Sequence, residues 1–213
     1  MDLRVVHETL FDYTPPVKTA QHMAYLKPLD TTTQRLISHT LSVHPASADF
    51  SETQDVFGNT RSFFSLQAEH DELAVIATSV VSTSAAAAPR STLPWEQVRD
   101  RFHYRAGGEY DAAAGFVFAS PLVPRHEDFA AYARPSFGTG VPLLAAARDL
   151  MARIHGEFRY EPQSTDVSTP ALEALTQRTG VCQDFAHIMV ACLRAMGLPA
   201  RYVSGYLLTQ PPP

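Results

Sequence analysis

The sequence predicts an α+β protein: an antiparallel, β-sandwich-like half over residues 1–88, followed over residues 89–213 by an α+β half in which helices dominate. Three observations carry this expectation. Runs rich in branched and aromatic residues recur at short intervals through the first eighty positions, as the strands of a sandwich do. A stretch of Ser, Thr, Ala and Pro from Ser82 to Pro94 has no periodicity and marks a boundary. Beyond it apolar residues fall at helical spacing, with Gly and Pro where helices begin and end.

In chain order, Leu3 to Tyr13 reads as a strand closed by Pro15 and Pro16, and Gln34 to Val43 as a half-buried strand. Asp55-Val56-Phe57-Gly58-Asn59 carries a turn signal, and Phe63–Leu66 and Leu73–Val81 supply further strands. In the second half, Pro124–Tyr132 and Pro142–His155 show helical spacing, with Pro142 suited to a first turn. Phe158-Arg159-Tyr160 is a short extended piece, and Thr169-Pro170 is an N-cap and N1 pair opening a helix through Leu175. A helix is then expected from Val181 to Met196, with Phe185, Met189, Cys192 and Met196 along one face. Gly197 stands at its C′ position and Pro199 beyond prevents resumption. Ala200–Leu208 reads as a final strand.

Bulk properties exclude several classes. With 45% hydrophobic and 18% charged residues the 213-residue chain has an ordinary globular composition. A net charge of -5 and no Lys/Arg run give no basis for nucleic-acid binding. The longest apolar stretches are far too short to cross a bilayer, and no signal-peptide block follows Met1. A cytoplasmic protein with no membrane association is therefore expected. Two cysteines, Cys182 and Cys192, lie about 15 Å apart on one helix, too far for a disulfide, which fits a reducing compartment. No Cys/His spacing suits structural zinc, and no acidic loop suits calcium, so no metal or organic cofactor is expected.

Cys182 is the candidate for chemistry. It falls in the first turn of the expected helix, where free backbone N–H groups and the positive end of the helix dipole favour a thiolate. The same N–H groups suit an oxyanion formed when a carbonyl is attacked. Position alone is a weak signal, since most lone cysteines are buried hydrophobes, and Cys192 on the apolar stripe takes that reading. A base is also required. His187, five residues on, sits about 140° around the helix and points away from Cys182. Asp184, two residues on, does not face the thiol either, but can complement the helix N-terminus or accept a local backbone bond. Trp95 is expected to anchor the start of the second half by packing, and Arg194 and Arg201 to fix helix and strand. Tyr202 and Tyr206 either line a cleft or pack.

The segment Thr179-Gly180-Val181-Cys182-Gln183-Asp184-Phe185-Ala186-His187, followed by Leu193-Arg194 and Gly197-Leu198-Pro199-Ala200-Arg201-Tyr202-Val203-Ser204-Gly205-Tyr206, resembles the core of bacterial transglutaminase-like proteins. The shared pattern is G-x-C-x-D, then L-R-x-x-G-[IL]-P-A-R-x-V-x-G-Y. Tyr13, Arg35-Leu36-x-x-His39, Asp55-x-Phe57-Gly58-Asn59 and Leu73-x-Val75 resemble the β domain often found before that core. The resemblance implies a papain-like core over residues 89–213, with Cys182 attacking an amide carbonyl to form a thioester that water or an amine resolves. It implies a protein or peptide substrate, with the Cys182 N–H as one oxyanion donor and a second from Tyr160 to Gln163. The family's motif continues with a histidine and then an aspartate on later strands, and neither maps onto this chain.

The expectation is therefore a truncated sequence, inactive as it stands. An unfinished sheet edge would also favour self-association. Natural inactivity, or completion by another chain, are the alternatives. A non-catalytic binding or scaffold module that keeps the fold remains the competing function, and an exposed edge of the β domain binding a peptide is a third.

Overall fold

The computed structural model describes residues 1–162 and 169–208. They divide into two compact units that meet in sequence at Ala88 and Pro89. In the first unit β6 (His70–Thr83) lies between β1 (Asp2–Val17) and β3 (Gln34–His44), and β5 (Thr60–Leu66) lies between β2 (Ala20–Ala24) and β4 (Asp49–Gln54). Every pairing is antiparallel. The two middle strands supply the core: Phe64 and Leu66 of β5, Leu73 and Val75 of β6, with Tyr13, Leu41 and Val43 packed against them. Along β6, Leu73, Val75, Ala77, Ser79 and Val81 are buried, the period of two that a one-sided strand requires.

Alternation in β3 is broken where the register against β6 shifts between Leu36 and Ser38. The extra residue, Ile37, is exposed, and its insertion brings Leu36 and His39 onto the same inward face. The expected turn is present, built by Asp55: its Oδ1 accepts from the N–H groups of Phe57 (2.8 Å) and Asn59 (2.9 Å), and Gly58 takes φ 83°. Two strands escaped the sequence reading. β4 is wholly exposed, so it has no alternation to read; its pairing with β5 rests on the backbone ladder and on Ser65 Oγ donating to Asp49 Oδ2 at 2.8 Å.

The second unit holds α1 (Trp95–Arg101), α2 (Glu127–Ala133), α3 (Leu143–Glu157), α4 (Ala171–Gln177) and α5 (Cys182–Ala195). A two-residue parallel ribbon joins β7 (Arg159–Tyr160) to β8 (Thr179–Gly180). α5 packs against α2, α3 and α4, and buries Ile188, Val190, Ala191 and Cys192. Its end is a Schellman motif: Leu198 N–H bonds Leu193 C=O and Gly197 N–H bonds Arg194 C=O, both at 3.0 Å, with Gly197 at φ 77°. Trp95 is buried against the edge of Phe137 and donates from Nε1 to Gly138 C=O at 3.0 Å, the packing role expected of it.

Three expected elements differ. α2 starts at Glu127, not near Pro124, because His126 Nδ1 caps it through Asp128 N–H at 3.3 Å. α4 starts one residue later than the Thr169-Pro170 pair implies, with Pro170 extended at the N-cap. No strand forms over 200–208, where Val203 (76%) and Leu207 (89%) are exposed. A strand is defined by the ladder it joins, and among the described residues none pairs with this segment.

The first unit also carries the buried His70 and the half-buried His22 and His39. His22 stacks on Phe64 with ring centroids 5.1 Å apart, and His39 Nδ1 lies 2.9 Å from Ser79 Oγ on β6. Nε2 of His22, His39 and His70 is buried with no hydrogen-bond partner among the described residues. Burial holds His22 below its ordinary value of 6.5, reinforced by repulsion from His70. Burial also lowers His39, reinforced by Lys27 and opposed by Glu52. Below about pH 6.5 the unfolded chain therefore binds more protons than the folded one. The stability these neutral rings contribute is complete above that pH and is lost as pH falls toward the depressed folded values. Thermal unfolding of the first unit should show a midpoint that drops between about pH 7 and pH 5.5, and a His22→Phe/His39→Gln variant should show a shallower drop. A midpoint flat across that window would contradict this account.

Candidate active site

The candidate thiol is set up by what precedes it. α4 ends at Arg178, whose backbone is left-handed at φ 57° and whose N–H bonds Ala174 C=O at 3.0 Å. Thr179 and Gly180 then pair with Arg159 and Tyr160. Arg159 N–H donates to Arg178 C=O at 2.9 Å and Glu161 N–H to Gly180 C=O at 3.0 Å. Val181 is extended (φ -111°, ψ 176°) and is the N-cap of α5, which places Cys182 at its first position.

The turn is closed from below by Asp184, which is buried and accepts the Val181 N–H at 2.8 Å through Oδ2. Valine has no side-chain acceptor to return the bond, so only the acidic half of a capping box exists. Asp184 sits so close to the chain that a Cβ on Gly180 would lie 2.7 Å from its Oδ2 and 2.9 Å from its Cβ. The G-x-C-x-D spacing therefore has a steric meaning: the glycine makes room for the aspartate that caps the helix.

Cys182 is exposed, while Cys192, ten residues along the same helix, is fully buried. Burial pushes the Cys192 thiol up to about 12, opposed by Arg153 and Arg178. The helical ladder starts with Phe185 N–H to Val181 C=O at 3.2 Å, so the Cys182 N–H precedes it and suits the oxyanion role. For the second donor, Glu161 N–H is committed to Gly180, Pro162 has no N–H, and Gln163 lies outside the described residues. Tyr160 N–H is left as the described candidate.

His187 is buried with its ring 5.2 Å from that of Tyr202. Burial lowers its pKa, partly countered by Asp184. It lines a groove of about 490 Å³ with Gln183, Val190, Arg194, Leu122 and Tyr202, so its environment is the helix flank and not the thiol. Arg194 fixes backbone, as expected, donating to Ala200 C=O and Phe118 C=O at 2.9 Å and to Ser120 Oγ at 3.0 Å. Arg201 lies over Phe116, 5.6 Å from its centroid. Among the described residues no three His, Cys, Asp or Glu side chains gather as a metal site, and no helix is long and apolar enough to cross a membrane. The sequence reading missed Arg178, whose guanidinium lies 4.3 Å over Tyr132 and 4.8 Å over Phe158.

Residues 3–82 match the bacterial transglutaminase-like N-terminal region and residues 130–212 match the transglutaminase-like superfamily. Uncharacterized proteins of Mycobacterium tuberculosis and Mycobacterium bovis are 38% identical over 215 residues, covering 99% of this chain and 67% of theirs. The chain belongs to the bacterial transglutaminase-like family. An uncharacterized protein of Mycobacterium leprae is 33% identical over 217 residues, covering 96% of this chain and 71% of its own. A solved structure from Cytophaga hutchinsonii, described as a "Putative Cysteine Protease", shares the fold: the TM-score is 0.70 at 18% identity, over 93% of this chain and 67% of that one. The transglutaminase-like chain therefore shares the fold of that structure, and Cys182 lies inside the residues matched to the transglutaminase-like superfamily.

Two outcomes follow for this transglutaminase-like protein. Iodoacetamide applied to the folded protein at about pH 8 should label Cys182 alone, with Cys192 reacting only after denaturation; peptide mapping that finds Cys192 labelled in the native state would contradict its burial. Gly180→Ala should destabilise the protein by about 1–3 kcal/mol in urea titrations, the usual cost of forcing a methyl into a packed site. A wild-type midpoint would show that Asp184 is not pressed against the turn.

Proposed function

We propose that this protein supplies the nucleophile of a cysteine enzyme that acts on amide bonds through a thioester, with Cys182 as the nucleophile. The observation that carries the reading is an exposed thiol at the first position of a buried helix, on a turn held by a backbone ribbon and a buried carboxylate. In the proposed step Cys182 Sγ forms a bond to the carbonyl carbon of a protein or peptide substrate, and the carbonyl oxygen takes the negative charge beside the Cys182 N–H. Collapse breaks the C–N bond, and the departing amine takes a proton from a general acid. The thioester is then released by water, giving a carboxylate, or by a second amine, giving a new amide; either restores the thiol.

No described histidine is hydrogen-bonded to Cys182. The proposal therefore names the nucleophile alone and assigns neither the proton-transferring histidine nor the acidic group that orients it. The same observation favours a second reading, a binding module that keeps the fold without the chemistry. Two unpaired thiols support a reducing, cytoplasmic setting for either.

Acyl transfer separates them. Incubation with p-nitrophenyl acetate should leave an acyl group on Cys182, visible as a mass increase, removed by hydroxylamine and absent from Cys182→Ala. A Cys182 that iodoacetamide labels but that never acquires the acyl group would favour the binding module.

A further inference from the structure

We propose that Arg178 is the positioning residue of the Cys182 turn, holding the ribbon that carries the thiol against the Tyr132–Phe158 face of the core. The inference deepens the reading of Cys182 as the reactive thiol and rests on it. Arg178 occupies a left-handed backbone position, φ 57°, where glycine is the residue that costs least. Any side chain there carries a backbone cost, which the contacts this one makes offset.

The side chain reaches a great deal. The guanidinium lies 4.3 Å over the Tyr132 ring and 4.8 Å over Phe158, with Nη1 3.6 Å from Glu157 Oε2. Glu157 Oε1 accepts from Arg153 Nε at 3.2 Å, and Arg153 also lies over Tyr132 at 4.6 Å and donates to its carbonyl at 2.9 Å. One carboxylate at the end of α3 thus serves both guanidinium groups on one aromatic ring.

The geometry makes Arg178 grip one segment twice. Its side chain covers Phe158, and its carbonyl accepts the N–H of the next residue, Arg159, at 2.9 Å. Phe158 in turn meets Phe185 of α5 edge-on at 5.6 Å, one residue past Asp184. Contacts and chain together form a closed path through the turn that carries the thiol: Arg178 to Phe158, Phe158 to Phe185, and Asp184 back to Val181. Removing the guanidinium opens that path at the one residue that also feeds the ribbon.

The test compares Arg178→Gly, which relieves the backbone, with Arg178→Lys, which keeps the charge. Hydrogen exchange should show the Arg159 and Glu161 amides opening about tenfold faster in Arg178→Gly, with amides of Ile188 to Cys192 unchanged. The rate of Cys182 alkylation at fixed pH should shift by more than about threefold, and Arg178→Lys should recover most of both effects. Wild-type exchange in Arg178→Gly, or an equal loss of protection along α5, would overturn the positioning role. If Arg178→Gly does not fold, Arg178→Gln reads the same two quantities on the strained backbone. Exchange that responds as expected beside a wild-type Cys182 that is never acylated would sink the catalytic reading alone; acylation without the exchange response would sink the positioning alone.

Discussion

The hydrogen bond from the Val181 N–H to the buried Asp184 carboxylate decides how the rest of the second unit can present a thiol. A helix start that is exposed frays, because its first N–H groups have no partner within the helix. A carboxylate drawn under the turn satisfies one donor, complements the helix dipole, and ties the extended approach to the first turn. Burial of a carboxylate is expensive unless it is bonded, and this contact offsets part of the cost of placing Asp184 there. Gly180 is its steric counterpart: any side chain there would occupy the space Asp184 needs.

From this constraint the neighbouring elements follow. The ribbon of β7 and β8 fixes the chain before Gly180, and α4 delivers it there through a reversal at Arg178. Behind the turn, Tyr132, Phe158 and Phe185 meet edge-to-face at 5.9 and 5.6 Å, joining α2 to α5 through the residue that precedes the ribbon. Each such contact is worth about 0.5–1.5 kcal/mol beyond its burial, modest alone but directed at one point. The far end of α5 is closed by Gly197 with equal economy, since a Cβ there would lie 3.0 Å from Arg99 Cγ. Both ends of the helix thus depend on glycines for space.

What could be read from the sequence is what depends on near neighbours in the chain. The placement of Cys182 at a helix start, the acidic residue two positions on, and the Gly197-Leu198-Pro199 stop are all local patterns, and the helix is where they put it. So are the Asp55 turn and the inward period of β6. What was lost depends on partners far along the chain. Residues 201–208 have the composition of a strand but no ladder among the described residues. β4 has a ladder but no composition to announce it. Ile37 looked like part of an alternation, and only pairing with β6 shows it to be the inserted residue. The stack of Arg178 on Tyr132 unites α2, α3 and the end of α4, and no local spacing encodes it.

The two cysteines of α5 show how position governs the same side chain. Cys192 lies among Ile188, Val190 and Ala191 with no exposure, where burial keeps the thiol neutral and its role is volume. Cys182 shares the helix, and so is carried by the same core, yet stands where that core ends and solvent begins. A nucleophile needs both properties at once: access for the substrate and a backbone that does not yield when a tetrahedral centre forms. A loop would grant access without rigidity, and a mid-helix site rigidity without access. The first position of a buried helix, reached through an anchored ribbon, satisfies both, which is why the candidate chemistry of this chain falls at Cys182 and not ten residues further on.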